Sequence, residues 1–418
     1  MAKRMRFILS AIMVIVAMTA KAQVTTSSLS GKVTDPDKEA IIGATVQAIH
    51  EPSGTRYGAI TNIDGRYTIQ GMRAGGPYSV EVSYIGYQTM MYKDVTLQLG
   101  EVYNLNVQMK ESSELLEEVV VTAQKTKFAS EKTGATTNIS NTQIASMPSV
   151  SRSITDYSRL SAYGGNGMSF AGSDGRTANF TIDGANFNNN FGLSSNLPGG
   201  GNPVSIEAID EIQIVISPFD VRQTNFIGGG INAITKSGTN TYKGTAYIYH
   251  QNENMRGDAI DRETISGARE KDQSTTYGFT IGGPIIKNKL FFFANGELQN
   301  TPAIANRWRA SEDGVGDADA YISRATVADL QKVSDIAKEK YGYNTGSFSS
   351  FPSDNKNTKL LARIDWNINN NHRLALRYNY TKNTVWNAPN ASSMDGGTRM
   401  SGSRTSQYAM SYANSMYS

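Results

Sequence analysis

The chain has no cysteine and only three histidines among its 418 residues. Without cysteine no disulfide can form, so an exported chain of this kind must draw its stability from burial and sheet pairing. The histidines, His50, His250 and His372, stand far apart and share no metal-ligand spacing with paired acids. Charged residues make up 18% of the chain and the net charge is +3, which gives no concentrated basic face and excludes nucleic acid as the main partner. No Gly-x-Ser-x-Gly elbow, phosphate loop or zinc helix occurs, so neither an enzyme nor a cofactor is expected. Beyond the first two dozen residues, no run approaches the ~20 apolar residues of a helical membrane span.

What is present begins with an export signal. Lys3, Arg4 and Arg6 precede an apolar run over residues 7–18, and Ala20-Lys21-Ala22 follows, the order of a secretory signal peptide covering residues 1–22. Three regions come after it. Residues 23–110 are short strands separated by turn signals, with Tyr78, Val80, Val82 and Tyr84 on one face, and Tyr103, Leu105, Val107 and Met109 on one face of another strand. That period of two is the pattern of half-buried strands. Asp64-Gly65 predicts a hairpin, and the spacing fits a small seven-stranded sandwich of Ig or transthyretin type.

Residues 111–237 are mixed and rich in glycine and asparagine. "SRSITDYSRLSAYG" predicts a short helix capped by Ser153 with Asp156 at its third position, "ANFTIDGANF" a hairpin around Asp183-Gly184, and "SIEAIDEIQIVIS" a helical turn leading into a strand. Gly228 to Gly230 has no Lys-Ser/Thr pair or capped helix after it, so it marks a close backbone approach rather than a phosphate cradle. For Asp183 and Asp64, turn-making is the favoured role.

In residues 238–418 the segments lengthen to about the ten residues of a tilted membrane strand. Leu360, Ala362, Ile364 and Trp366 alternate with Lys359, Arg363 and Asp365; Leu374, Leu376, Tyr378 and Tyr380 alternate with Arg373, Ala375, Arg377 and Asn379. One face suits lipid and the other water. Turns near residues 286–289 and 367–372 are short, whereas residues 301–357 form one long connection, the asymmetry of outer-membrane barrels. Inside that connection Val327, Leu330, Val333, Ile336 and Ala337 form one helical stripe, which predicts a helix packed on the outer rim. "SEDGVGDADA" gathers four acids but lacks the spacing of a calcium loop and reads as a solvated loop. A soluble sandwich is the competing reading of the long strands.

"EEVVVTA", "NFTIDGANFNNN", "AIDEIQIVISPFDVRQTNFIGGGINAITKSGTNTYKGTAY" and "GGPIIKNKLFFFANGELQ", in this order, resemble the plug and first barrel strands of TonB-dependent outer-membrane receptors. The resemblance is strongest to the Oar-like group, in which a carboxypeptidase-regulatory-like domain precedes the plug. It implies a mainly β chain: a sandwich, an α+β plug with its TonB-box segment, and the first strands of an incomplete transmembrane antiparallel barrel. Such barrels commonly close with about 22 strands, and only about six to eight are written here, so the chain reads as an N-terminal fragment.

The resemblance further implies uptake of a scarce large ligand in the outer membrane, with energy relayed from the inner membrane. Its partners would be the periplasmic domain of TonB, outer-membrane lipid and an extracellular ligand whose identity the residues do not give. A short β-prone segment would add as a strand to the sheet of TonB; the candidates are Glu118, Val119, Val120, Val121, Thr122 and Ala123. The same residues also read as the first strand of the plug. For ligand contact the candidates are Asn186, Phe187, Asn188, Asn189, Asn190 and Phe191, an amide-rich aromatic loop, with a plain solvent loop as the other reading. An exported adhesion or structural β protein without transport is the rival function.

Overall fold

A computed structural model describes residues 24–111, 119–122, 135–147, 149, 152–165, 167–188, 197, 202–218, 220, 223–255, 257, 259–260, 263–264, 273–302, 309–317, 320, 322–345, 354–369, 372–387 and 410–417. The expected export signal lies outside them. The chain divides into two compact units, residues 1–243 with 281–294 and 362–377, and residues 244–280 with 295–361 and 378–418.

The first unit opens with eight strands: β1 (Ser27–Thr34), β2 (Thr45–His50), β3 (Thr55–Ile60), β4 (Arg66–Met72), β5 (Gly75–Ser83), β6 (Met90–Leu97), β7 (Val102–Asn104) and β8 (Val107–Gln108). They form two sheets. One has the order β4-β1-β7, with β8 also on β1; the other has the order β3-β2-β5-β6 and is completed by β9 (Val119–Thr122). Period-two alternation turns Leu29, Val33, Val46, Ala48, Ile69, Val80, Val82 and Val107 into one shared core.

Three details depart from expectation. The last expected strand is two short ones, each parallel to β1. Tyr84 leaves the buried face of its strand and is exposed, because β5 ends at Ser83. Asp64-Gly65 does form a turn, with Gly65 at φ +72°, but it joins β3 of one sheet to β4 of the other. Turn chemistry fixes the local dihedrals, while pairing is decided by which faces must be buried.

A further sheet of the same unit comprises β10 (Ala135–Ser140), β11 (Asn179–Ile182), β12 (Ala185–Asn186), β13 (Ile209–Ser217) and β14 (Gly230–Thr235), in the order β10-β13-β14-β11-β12. Its helices are α1 (Asn141–Ser146) and α2 (Ile154–Ser158), and α2 has the expected capping box between Ser153 and Asp156. β13 is flanked on both sides and covered on both faces, so its Ile209, Ile212, Ile214 and Val215 are all buried.

The remaining long strands are β15 (Lys243–Gln251), β18 (Ser274–Ile286), β19 (Leu290–Pro302), β22 (Asp354–Asn367), β23 (Arg373–Asn387) and β24 (Met410–Tyr417). They follow one another in a six-stranded sheet that among the described residues does not close, with β15 and β24 as its two ends. Two small pairs, β16 (Ala259–Ile260) with β17 (Glu263–Thr264) and β20 (Arg309–Ser311) with β21 (Ile322–Thr326), lie in the connections of the second unit. So does α3 (Val327–Tyr341), capped by Thr326 and closed by Gly342 in the left-handed region. Its stripe is not packed away as expected: Val333 and Ile336 are exposed and no residue of the helix is fully buried.

β22 and β23 carry the partition read from the sequence. Leu360, Ile364, Trp366, Leu374, Leu376 and Tyr378 are exposed, whereas Lys359, Arg363, Asp365 and Asn379 are buried. At these positions the large apolar side chains face out and the polar and ionic ones face in, whereas Arg373 and Ala375, expected on the inward face of β23, are exposed. In water this arrangement is costly, and in a bilayer it is the favoured one.

Candidate functional site

The inward ionic side chains of the first unit converge on the hairpin β11–β12. Asp183 and Gly184 turn it, with φ of +50° and +88°, values that suit a two-residue turn of type I′. Turn-making is only part of what Asp183 does. Its carboxylate accepts from Thr235 N at 3.0 Å and Thr235 Oγ1 at 2.5 Å, and lies 3.7 Å from Arg363 Nη1 and 3.5 Å from Arg377 Nε. Arg363 holds Asp365 through Nε at 2.8 Å and Nη2 at 3.0 Å, and donates from Nη1 to Thr235 O at 2.6 Å. Arg73, from the end of β4, adds a contact of 3.6 Å to Asp365 and donates to Ser237 Oγ at 2.8 Å. Below the cluster, burial pushes the Asp210 carboxyl up against the pull of Arg363. The result is a buried network with nearly balanced charge that binds the turn of one sheet to strands of another.

Sequence reading marked Asp183 as a turn residue and Arg363 and Arg377 as inward-facing, but did not join them. The joining depends on a hairpin and two strands far along the chain, and no local spacing encodes it.

A second set of bonds fixes the sandwich to the sheet built on β13. Leu99, in the turn after β6, donates its N–H to Glu211 Oε1 at 3.0 Å, while its carbonyl accepts from Asn138 Nδ2 at 3.2 Å and from Gln213 Nε2. The Leu99 side chain is buried with Ala74 and Ile234. Burial raises the Glu211 carboxyl to about 7, with Asp210 and Glu101 acting in the same direction and the Leu99 N–H opposing.

The β2–β3 hairpin supplies a third contact. His50 Nδ1, Ser53 Oγ and Thr55 Oγ1 form a chain of 2.6 and 2.7 Å links, and Thr55 Oγ1 accepts from Asn367 Nδ2 at 2.9 Å. Arg373 donates to Arg56 O at 2.9 Å and lies 4.0 Å over the Tyr57 ring. Burial, aided by Arg73, lowers His50 to about 3, so the imidazole is neutral.

In the second unit, Lys359 Nζ meets Glu297 Oε1 at 2.7 Å with both side chains at least nine-tenths buried, and Tyr247 donates to Glu297 Oε2 at 2.9 Å. This inward pair is the counterpart, on β19 and β22, of the ions around Asp183.

Of the candidate coupling residues, Val119 to Thr122 are β9, parallel to β6 with Met90, Met91, Tyr92 and Lys93 opposite Val119, Val120, Val121 and Thr122; Glu118 and Ala123 lie outside the described residues. β9 is not part of the sheet built on β13, whose first strand among the described residues is β10. In the candidate ligand loop, Asn186 is exposed. Phe187 is 1% exposed and fills the core, so its ring is not offered for stacking. Asn188 accepts from Phe180 N at 2.6 Å and donates to Asn179 Oδ1 at 2.8 Å, which ties its amide to β11. Asn189, Asn190 and Phe191 lie outside the described residues. The glycine triplet does mark a close approach: a Cβ on Gly229 would sit 2.7 Å from the Phe170 ring.

Residues 28–110 match the carboxypeptidase regulatory-like domain, and residues 234–308 match an outer membrane beta barrel domain. The TonB-dependent transporter Oar of Myxococcus xanthus is 27% identical over 227 residues, which are 51% of this chain and 19% of that protein. The chain therefore spans about a fifth of that relative's length. Among solved structures, the siderophore receptor PirA from Acinetobacter baumannii aligns at TM-score 0.38 and 19% identity, over 60% of this chain and 31% of its own. The ferric enterobactin receptor PfeA from Pseudomonas aeruginosa aligns at TM-score 0.37 and 14% identity, over 60% and 34%.

Proposed function

We propose, for what is a TonB-dependent receptor-like protein of the outer membrane, that it takes up a scarce large ligand with energy relayed by TonB, and that Glu118 to Ala123 are the coupling segment. The outer membrane holds neither ATP nor an ion gradient, so uphill uptake there needs mechanical work supplied from the inner membrane. The observation that carries the reading is the partition of β22 and β23. Apolar side chains face outward, and the inward Arg363 and Arg377 both lie against Asp183, a residue of a different sheet, while Asp365 pairs with Arg363. A barrel wall that is ionically bonded to an inner domain is suited to a plug that must be held firmly at rest and shifted on demand.

In this mechanism the sheet built on β13 is the plug, spanning about residues 111–237, the wall begins near residue 238, and the sandwich occupies residues 23–110. Ligand binding would bear on plug loops including Asn186, and a pull on the coupling segment would then work against the ions around Asp183. Titration of the whole chain in detergent with the periplasmic domain of TonB tests this, beside the Val120→Pro variant, which removes one backbone donor from β9. Saturable binding that the proline abolishes supports the reading; absence of binding by the parent chain refutes it in favour of an exported adhesion protein.

A further inference from the structure

β9 is the last strand of the β3-β2-β5-β6-β9 sheet. Its four residues pair in parallel with Met90 to Lys93, and among the described residues no strand lies on its outer side. In a parallel ladder the backbone groups of successive residues point to opposite neighbours, so only half of those in β9 are directed at β6. Among the described residues the other half meet no strand, and a row of that kind is the template to which a further strand adds.

We propose that the sandwich is a display platform: it holds residues 119–122 as an open sheet edge, and the partner is the exposed sheet edge of a periplasmic β-rich domain, which adds to the outer side of β9 while β6 stays on the inner side. This rests on the coupling-segment reading above and extends it, because it states where the strand is when the partner arrives. Two features favour display over release. A strand already fixed on β6 has lost its backbone freedom before binding, so the partner need not order it. Recognition through main-chain bonds needs only one free edge, and among the described residues the outer side of β9 carries no strand.

The alternative arrangement, in which β6 hides the strand and must let go before the partner can pair, predicts the opposite response to a covalent tether. The absence of cysteine from the chain makes the tether clean. Lys93, exposed on the strand surface, is opposite Thr122 in the parallel register. In the double variant Lys93→Cys with Thr122→Cys, oxidation locks β9 to β6, and the reduced form of the same protein is the control for folding and for the substitutions themselves.

The probe is the periplasmic domain of TonB, titrated against the whole chain in detergent. The expected result is that the oxidised protein binds within about twofold of the reduced one, or more tightly. A tenfold or greater loss on oxidation, reversed by reductant, overturns display while leaving the coupling-segment reading intact. If the parent chain does not bind, or binds equally well as Val120→Pro, the coupling-segment reading falls and display falls with it.

Discussion

Arg363 grips Asp365, two positions along the same strand, through two nitrogens at 2.8 and 3.0 Å, and turns its third nitrogen to the backbone of Thr235. Neighbours on one face of a strand are rarely the only reason for such a pair. Here the pairing orients the guanidinium so that Nη1 reaches both Thr235 and the Asp183 side.

Arg363→Ala leaves Asp183 and Asp365 buried with weakened compensation. Removing one member of a buried pair costs roughly 3–5 kcal/mol. Thermal unfolding of the detergent-solubilised chain is expected to show a large drop for Arg363→Ala and a smaller one for Asp183→Asn, which keeps an acceptor for Thr235. Equal, small effects would show that the cluster contributes little to stability.

Glu211 sets a pH response with a definite sign. Its carboxyl sits at about 7 in the folded chain and near 4.3 when unfolded, so the folded state binds the proton more tightly between these values. Stability is then greatest below the unfolded value and falls as pH rises towards 7, by on the order of 3 kcal/mol in total. Melting temperatures of the parent and Glu211→Gln, compared from pH 4.5 to 7.5, are expected to diverge in the direction of a parent losing ground as pH rises. Parallel curves would remove Glu211 from the account.

His50 acts in the opposite direction. It is held neutral, at about 3 in the folded chain against about 6.5 unfolded, so its contribution is complete above pH 6.5 and is lost as pH falls, at about 1.4 kcal/mol per unit. A non-titrating His50→Asn variant should lack this acid slope between pH 6 and 4, as read by the same melts. Retention of the full slope would assign it to other groups.

Gly229 lies against the fully buried Phe170, and a Cβ there would be 2.7 Å from the ring. Gly229→Ala should cost about 1–3 kcal/mol through overpacking, and Gly229→Ala combined with Phe170→Leu should recover part of it. No recovery would mean that the strain lies in the backbone.

Leu376 faces outward, with 64% of its surface exposed. In a bilayer, Leu376→Arg should cost up to ~2–4 kcal/mol near the midplane and less near an interface. Insertion into lipid vesicles measures this; an unchanged yield would favour the soluble-sandwich reading of the long strands.

What was legible in the sequence was whatever repeats locally. The alternation of Leu360, Ile364 and Trp366 with Lys359, Arg363 and Asp365 names both faces of β22, because a strand's period is independent of its partners. Ser153 and Asp156 likewise name the start of α2 from four residues. Pairing was not legible. Val119 to Val121 read as a strand lacking a partner, and the partner turned out to be β6, a neighbour set by the tertiary fold. Phe187 looked like a loop aromatic beside four asparagines, yet the hairpin returns it to the core. The α3 stripe has a helical period without a surface to cover it, so period alone overstated its burial.

The three bonds at Leu99 meet on the N–H and C=O of a single residue. A fastening of this geometry behaves as a rivet rather than a zip: it cannot peel bond by bond, since any tilt of that one residue strains all three together. Loaded from the sandwich side, the joint should hold without creep up to a threshold and then part in one step, which would give the chain a mechanical set-point located at one turn.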